Sequence, residues 1–138
     1  MAIIDSSVEI NAPLEKVWGI ISDLDNEPKF WKSTKEVHNI SKEDNFVKRE
    51  ITIAFRDQKC LQEVTLTPKK KIHAVFTKGI IDGTKTIELT SIDSKTNLQT
   101  VWDIKLTGMM GMFTGMIKKH IKNGTEQALQ SIKEKAEN

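Results

Sequence analysis

The stretch Val8-Glu9-Ile10-Asn11-Ala12-Pro13-Leu14-Glu15-Lys16-Val17-Trp18 carries the chain from one backbone period into another within a few residues. Upstream, Ile4, Ser6, Val8 and Ile10 alternate with Asp5, Ser7 and Glu9, the pattern of a half-buried strand. Pro13 suits a first helical turn, where its missing N–H would have no partner anyway, and Asn11 or Ala12 stands at the cap. Leu14, Val17, Trp18 and Ile21 then recur at helical spacing. The segment from Asp23 to Glu27 breaks that helix, and Pro28 starts a second short one carrying Phe30 and Trp31. Asp23, Asp25 and Glu27 could be read as paired carboxylates, but their place between two short helices favours caps and a solvated loop.

From Thr34 to Thr107 the text is strand and turn. Strands are predicted over 34–42, 46–55, 58–67, 71–78, 84–92 and 98–107, separated by polar or glycine-bearing turns. Pro68-Lys69-Lys70-Lys71 reads as a hairpin turn rather than a basic patch. After Gly108 the period changes again. Met109, Met112, Phe113, Met116, Ile117, His120, Ile121, Gly124, Ala128 and Ile132 recur at steps of three and four, which predicts a continuous amphipathic helix to the C-terminus. Gly111 and Gly115 each weaken its first turns by about 1 kcal/mol relative to alanine, so that end is expected to be irregular.

The order of elements, together with Ala12-Pro13, Val17-Trp18, Asp23, Pro28 with Trp31 and the terminal helix, resembles the START-like superfamily. That group includes polyketide cyclase/dehydratase-like, coenzyme Q-binding and plant pathogenesis-related proteins. The resemblance covers almost the whole chain, and it implies an α+β helix-grip fold. In that fold a curved antiparallel sheet of about seven strands wraps a long C-terminal helix, with two short helices after the first strand. It also implies an enclosed apolar cavity whose mouth lies near the start of the long helix.

At 138 residues the chain has the length of one domain, spanning 1–138. Its 38% apolar and 29% charged residues are those of a globular protein, and a net charge of +2 gives no argument for nucleic acid. Cys60 is the only cysteine, so no intrachain disulfide can form. No apolar run approaches the roughly 18–20 residues a membrane span requires, and the N-terminus has the pattern of neither a signal nor a transit peptide. A cytoplasmic location is expected, with transient membrane contact compatible with the composition. The oligomeric state is left open.

Nucleotide-binding, zinc-protease and serine-hydrolase motifs are absent, and His38, His73 and His120 lack metal-ligand spacing. Neither a cofactor nor a metal is expected. Residues suited to lining a cavity are more numerous. Met109, Met110, Met112 and Met116 surround Phe113. Methionine conforms to irregular apolar guests, and the coincidence with Gly111 and Gly115 favours a pliable cavity rim over plain core filling. Trp18 is expected in the core, whereas Phe30 and Trp31 suit lining and core equally. Ile51, Ile53, Phe55, Phe76, Trp102 and Ile104 occupy strand positions compatible with the concave face.

Arg49 lies on the apolar side of its strand with Val47, Ile51 and Ile53. It either snorkels to solvent or needs a partner, for which Glu36, Glu63 or an anionic or carbonyl group of a ligand are candidates. His120, on the apolar helix face, is a hydrogen-bonded core residue or a proton shuttle. The first functional expectation is binding of a hydrophobic small molecule such as a lipid, isoprenoid quinone or polyketide-like compound. Arg49, His73 or His120 would then orient its polar head. A cyclase or dehydratase using His120 or His73 as general acid/base is the second, and a protein-interaction module the third.

Overall fold

The computed structural model describes residues 2–138, apart from the side chains of Met109 and Met110. Strand β1 (Ala2–Ile10) leads into helix α1 (Leu14–Ile21), a 3-10 turn (Leu24–Asn26) and the single-turn helix α2 (Glu27–Phe30). Six strands follow: β2 (Thr34–Glu43), β3 (Phe46–Ile53), β4 (Lys59–Thr67), β5 (Lys71–Lys78), β6 (Ile81–Ile92) and β7 (Lys95–Leu106). A 3-10 segment (Gly108–Phe113) then passes into helix α3 (Thr114–Glu137). The seven strands form one antiparallel sheet in the order β1-β7-β6-β5-β4-β3-β2. This is the helix-grip arrangement.

Sequence explains the elements and their limits. Along β7, Thr96, Leu98, Thr100, Trp102, Ile104 and Leu106 are buried while the residues between them are exposed or half-buried, as period-two alternation requires. Register shifts in β2, and between Leu61 and Gln62 on β4, supply the local twist that curls the sheet. At Gly83, with φ +130°, an added Cβ would lie 2.0 Å from the Asp103 carbonyl oxygen, so β6 can approach β7 there only through glycine.

The terminal helix starts later than its hydrophobic period suggests. Gly108, at φ +58°, opens the 3-10 segment, and the Thr114 hydroxyl donates to the Gly111 carbonyl at 2.7 Å. Glycine's low helix propensity lets this tighter winding replace the first α-turns. The remaining 24 residues of α3 span about 36 Å.

Helix α3 rests chiefly on β1, with lesser contacts to α1, α2 and β7. Ala128, Leu129, Ile132 and Ala136 in its C-terminal half join Ile4, Ile10, Val17 and Leu98 in the packed core. Polar ties hold that end. The backbone N–H of Asn11 donates to Glu137 Oε2 at 2.8 Å and Lys133 Nζ to the Glu9 carbonyl at 2.8 Å, while the buried Thr96 hydroxyl of β7 donates to the Ala12 carbonyl at 2.8 Å and fixes the segment before α1. Because the helix is seated on one end of a curved sheet, its N-terminal half stands off from β3–β6.

Candidate functional site

That separation leaves a chamber of about 520 Å³, within the few-hundred to thousand Å³ range of small-molecule sites. Ile51, Ile53, Phe76, Ile81, Trp102 and Leu106 provide its sheet wall, and Ile117, Ile121 and Gly124 its helix wall. Phe55 and Ile80 complete the apolar surface, while Glu27, Thr34, Gln62, Lys85, His120, Asn123 and Gln127 bring polar atoms to it. The Trp102 indole N–H donates to Thr125 Oγ1 at 3.0 Å and so ties the sheet to α3 at the buried end. At another edge, the Arg56 guanidinium lies 5.6 Å from the Phe55 ring centre and 5.9 Å from that of Phe113. These cation–π contacts join the β3–β4 turn to the 3-10 segment.

A group of charges is buried beside the apolar walls. Arg49 is 2% exposed. Its Nη2 donates to Glu27 Oε1 at 2.7 Å and its Nε to Gln62 Oε1 at 2.9 Å, while its Nη1 finds no partner among the described residues. Glu27 is therefore no solvated cap: α2 presses it inward onto β3, at 10% side-chain exposure. Burial would raise its pKa, but the positive charges of Arg49 and Lys85 outweigh that and hold it at about 2. Lys85, 5% exposed, lies face-on to Trp31, with Nζ 3.4 Å from that ring centre and 4.8 Å from Trp102. Burial brings its pKa down to about 8, partly offset by Glu27 and reinforced by Arg49. Trp102 stacks on Phe76 with ring centres 6.2 Å apart and meets Trp31 edge-on at 6.3 Å. Lys85 thus sits in an aromatic box.

The sequence-predicted residues are placed as follows. Ile51, Ile53, Phe55, Phe76, Trp102 and His120 line the chamber. Phe30, Trp31 and Arg49 border a neighbouring recess of only about 20 Å³. Ile104 is buried but does not line the chamber. Met112 and Met116 are 78% and 50% exposed, Phe113 is half-buried under Arg56, and the Met109 side chain lies outside the described residues.

Several expectations need correction. Arg49 is held by Glu27 and Gln62 rather than by Glu36 or Glu63, and it does not snorkel. His73 bonds Thr86 at 2.8 Å on the face opposite Ala74 and Phe76, away from the chamber. His120 lines the chamber from an exposed helix position rather than a core one. Trp18 is half-buried at the margin of the core. Cys60, by contrast, is buried as a small apolar side chain, and burial pushes its thiol pKa up.

Sequence reasoning missed Glu27, Gln62 and Lys85. Two of the three carried a signal. Lys85 has the parity of the buried Ile81, Ile87 and Leu89 on β6, and Gln62 that of the buried Cys60 and Val64 on β4.

The fold has close counterparts among solved structures. A Thermus thermophilus protein, TTHA0849, superposes with a TM-score of 0.84 at 15% identity, over 98% of this chain and 97% of that one. The ZhuI aromatase/cyclase of Streptomyces sp. R1128 gives 0.80 at 14% identity, over 99% and 93%. A START superfamily protein of Mycobacterium smegmatis gives 0.69 at 15%, over 94% and 98%. A comparison with curated proteins finds no match. The family model for polyketide cyclase / dehydrase and lipid transport matches residues 1–137, and the chain belongs to that family.

Proposed function

We propose that the protein binds a hydrophobic small molecule, such as a lipid, an isoprenoid quinone or a polyketide-like compound, in the chamber between the sheet and α3. The observation that carries this reading is the chamber itself, with about 520 Å³ of space and mainly apolar walls. Each 100 Å² of apolar guest surface taken out of water there contributes about 2.5 kcal/mol of gross driving force. Ile51, Ile53, Phe55, Phe76 and Trp102 hold the body of the guest. Arg56 ties Phe55 in the chamber wall to Phe113, while Phe113, Met112 and Met116 themselves stand outside the lining. No helix is long and apolar enough to cross a membrane among the described residues, and a cytoplasmic carrier meeting membranes transiently fits this reading. Extraction of the purified protein with organic solvent, followed by mass spectrometry and titration with quinones and fatty acids, tests it. An apolar compound should copurify or bind at one site per chain, and if no such compound does either, the reading fails.

A cyclase or dehydratase is the second reading, favoured by the presence of Glu27, Lys85, Gln62 and His120 around one chamber. It predicts that a poly-β-ketone thioester mimic loses water in the presence of the protein, and that His120→Ala stops turnover while leaving binding intact. Binding without any dehydrated product would leave the carrier reading alone.

A further inference from the structure

The charges around the chamber do not balance. Arg49 and Lys85 are both at least nine-tenths buried, and the only carboxylate buried with them among the described residues is Glu27. Arg49 takes that carboxylate at 2.7 Å. Lys85 is left with no hydrogen bond or ion pair among the described residues, its ammonium held only by the faces of Trp31 and Trp102. An ammonium carries three N–H donors, and an aromatic face cannot satisfy them as an oxygen does. Lys85 lines the chamber, so those donors meet whatever occupies it. The other charged or titratable groups on this wall and across the space are Glu27 on α2, the exposed Asp23 ahead of it, Arg49 on β3, Lys32 beyond α2 and His120 on α3, while β5 and β7 contribute only apolar neighbours. None of these adds a second buried negative charge.

We infer that the guest carries one anionic oxygen, a carboxylate or an acidic phenol or enol in its ionised form, and that Lys85 is the seat for it. The oxygen replaces the missing acceptor at Nζ and neutralises the surplus positive charge, while Trp31 and Trp102 fix the direction from which it arrives. The apolar body then extends along Ile51, Ile53 and Leu106 toward Ile117. This inference rests on the chamber being a ligand site and specifies which ligands it selects.

Calorimetric titration of the intact protein at pH 7 with two matched pairs tests the seat. Octanoate is compared with 1-octanol, and 2-naphthoate with 2-naphthylmethanol, so that chain and ring bodies are both sampled. At least one carboxylate should bind about tenfold or more tightly than its alcohol, and Lys85→Met should abolish that preference while the alcohol still binds. Wild-type protein alone offers a second readout that needs no variant to fold. Octanoate stays ionised throughout, yet its affinity should fall by up to about tenfold per pH unit above about pH 8, where free Lys85 loses its proton, while octanol is unchanged. Equal affinities within both pairs, a preference that survives Lys85→Met, or carboxylate binding that ignores pH would overturn the seat and leave the chamber reading standing. If no probe of either kind binds, the chamber reading falls and takes the seat with it.

Discussion

Glu27 and Arg49 show what a buried ion pair costs to break. Glu27→Gln leaves the guanidinium buried with only Gln62 and an amide for company, and breaking such pairs costs about 3–5 kcal/mol. Urea denaturation at pH 7 measures it. The same carboxylate imposes an acid limit. Its folded pKa of about 2 lies below the unfolded value near 4.5, so its contribution, on the order of 3 kcal/mol, is fully present above about pH 4.5 and drains away as pH falls through 2. The Glu27→Gln variant should lack that part of the acid sensitivity.

Lys85 works in the opposite sense. Its folded pKa, about 8, lies below the unfolded 10.5, so the unfolded chain holds the proton more firmly and stability rises between those two values. Lys85→Met should therefore be more stable than wild type at pH 7, by on the order of 3 kcal/mol, with the difference closing by about pH 10.5. Cys60, whose thiol pKa is raised by burial, pulls the other way at alkaline pH, so the difference between the two proteins isolates the lysine. A side chain retained at a stability cost in a chamber wall is what a binding role would explain.

At the scale of elements, β6 and α3 do the positioning. Gly83 lets β6 lie against Asp103 on β7, which keeps Lys85 opposite Trp102 in register. Gly83→Ala sets a methyl group against a backbone oxygen in a conformation alanine avoids, so a loss of about 3 kcal/mol or more is expected in thermal or urea denaturation. The elements themselves were legible from residues whose patterning is local: alternation along β7, Pro13 before α1, the period change after Gly108. Strand β6 shows how the reading fell short. Lys85 is in phase with Ile81, Ile87 and Leu89, but hydrophobic parity says which face a side chain takes and not which charge will be tolerated there. Glu27 stands out in the sequence only as one carboxylate of a polar loop, with no sign that it is buried. Its burial depends on α2 docking against β3, a long-range contact invisible to any window of sequence.

For the whole molecule, the outcome turns on where α3 sits. Seated on β1 at its C-terminal half, it fills the core there and leaves the volume over β3–β6 empty. The fold was readable because every local pattern agreed with it. The chamber's volume was not, since it is the difference between the sheet's curvature and the helix's seat, and neither is written in one segment. Gly124 offers direct access to that difference. It lines the chamber from α3, and an added Cβ would meet nothing within 4 Å. Leucine there should improve helix propensity by up to about 1 kcal/mol while occupying the guest's space. The deciding measurement is a calorimetric titration of 1-octanol and 2-naphthylmethanol into wild type and Gly124→Leu, with thermal denaturation as the control. We predict saturable one-site binding of at least one probe to wild type, and none to a Gly124→Leu protein that is at least as stable. Undiminished binding to the filled variant, or none to wild type, would contradict the account.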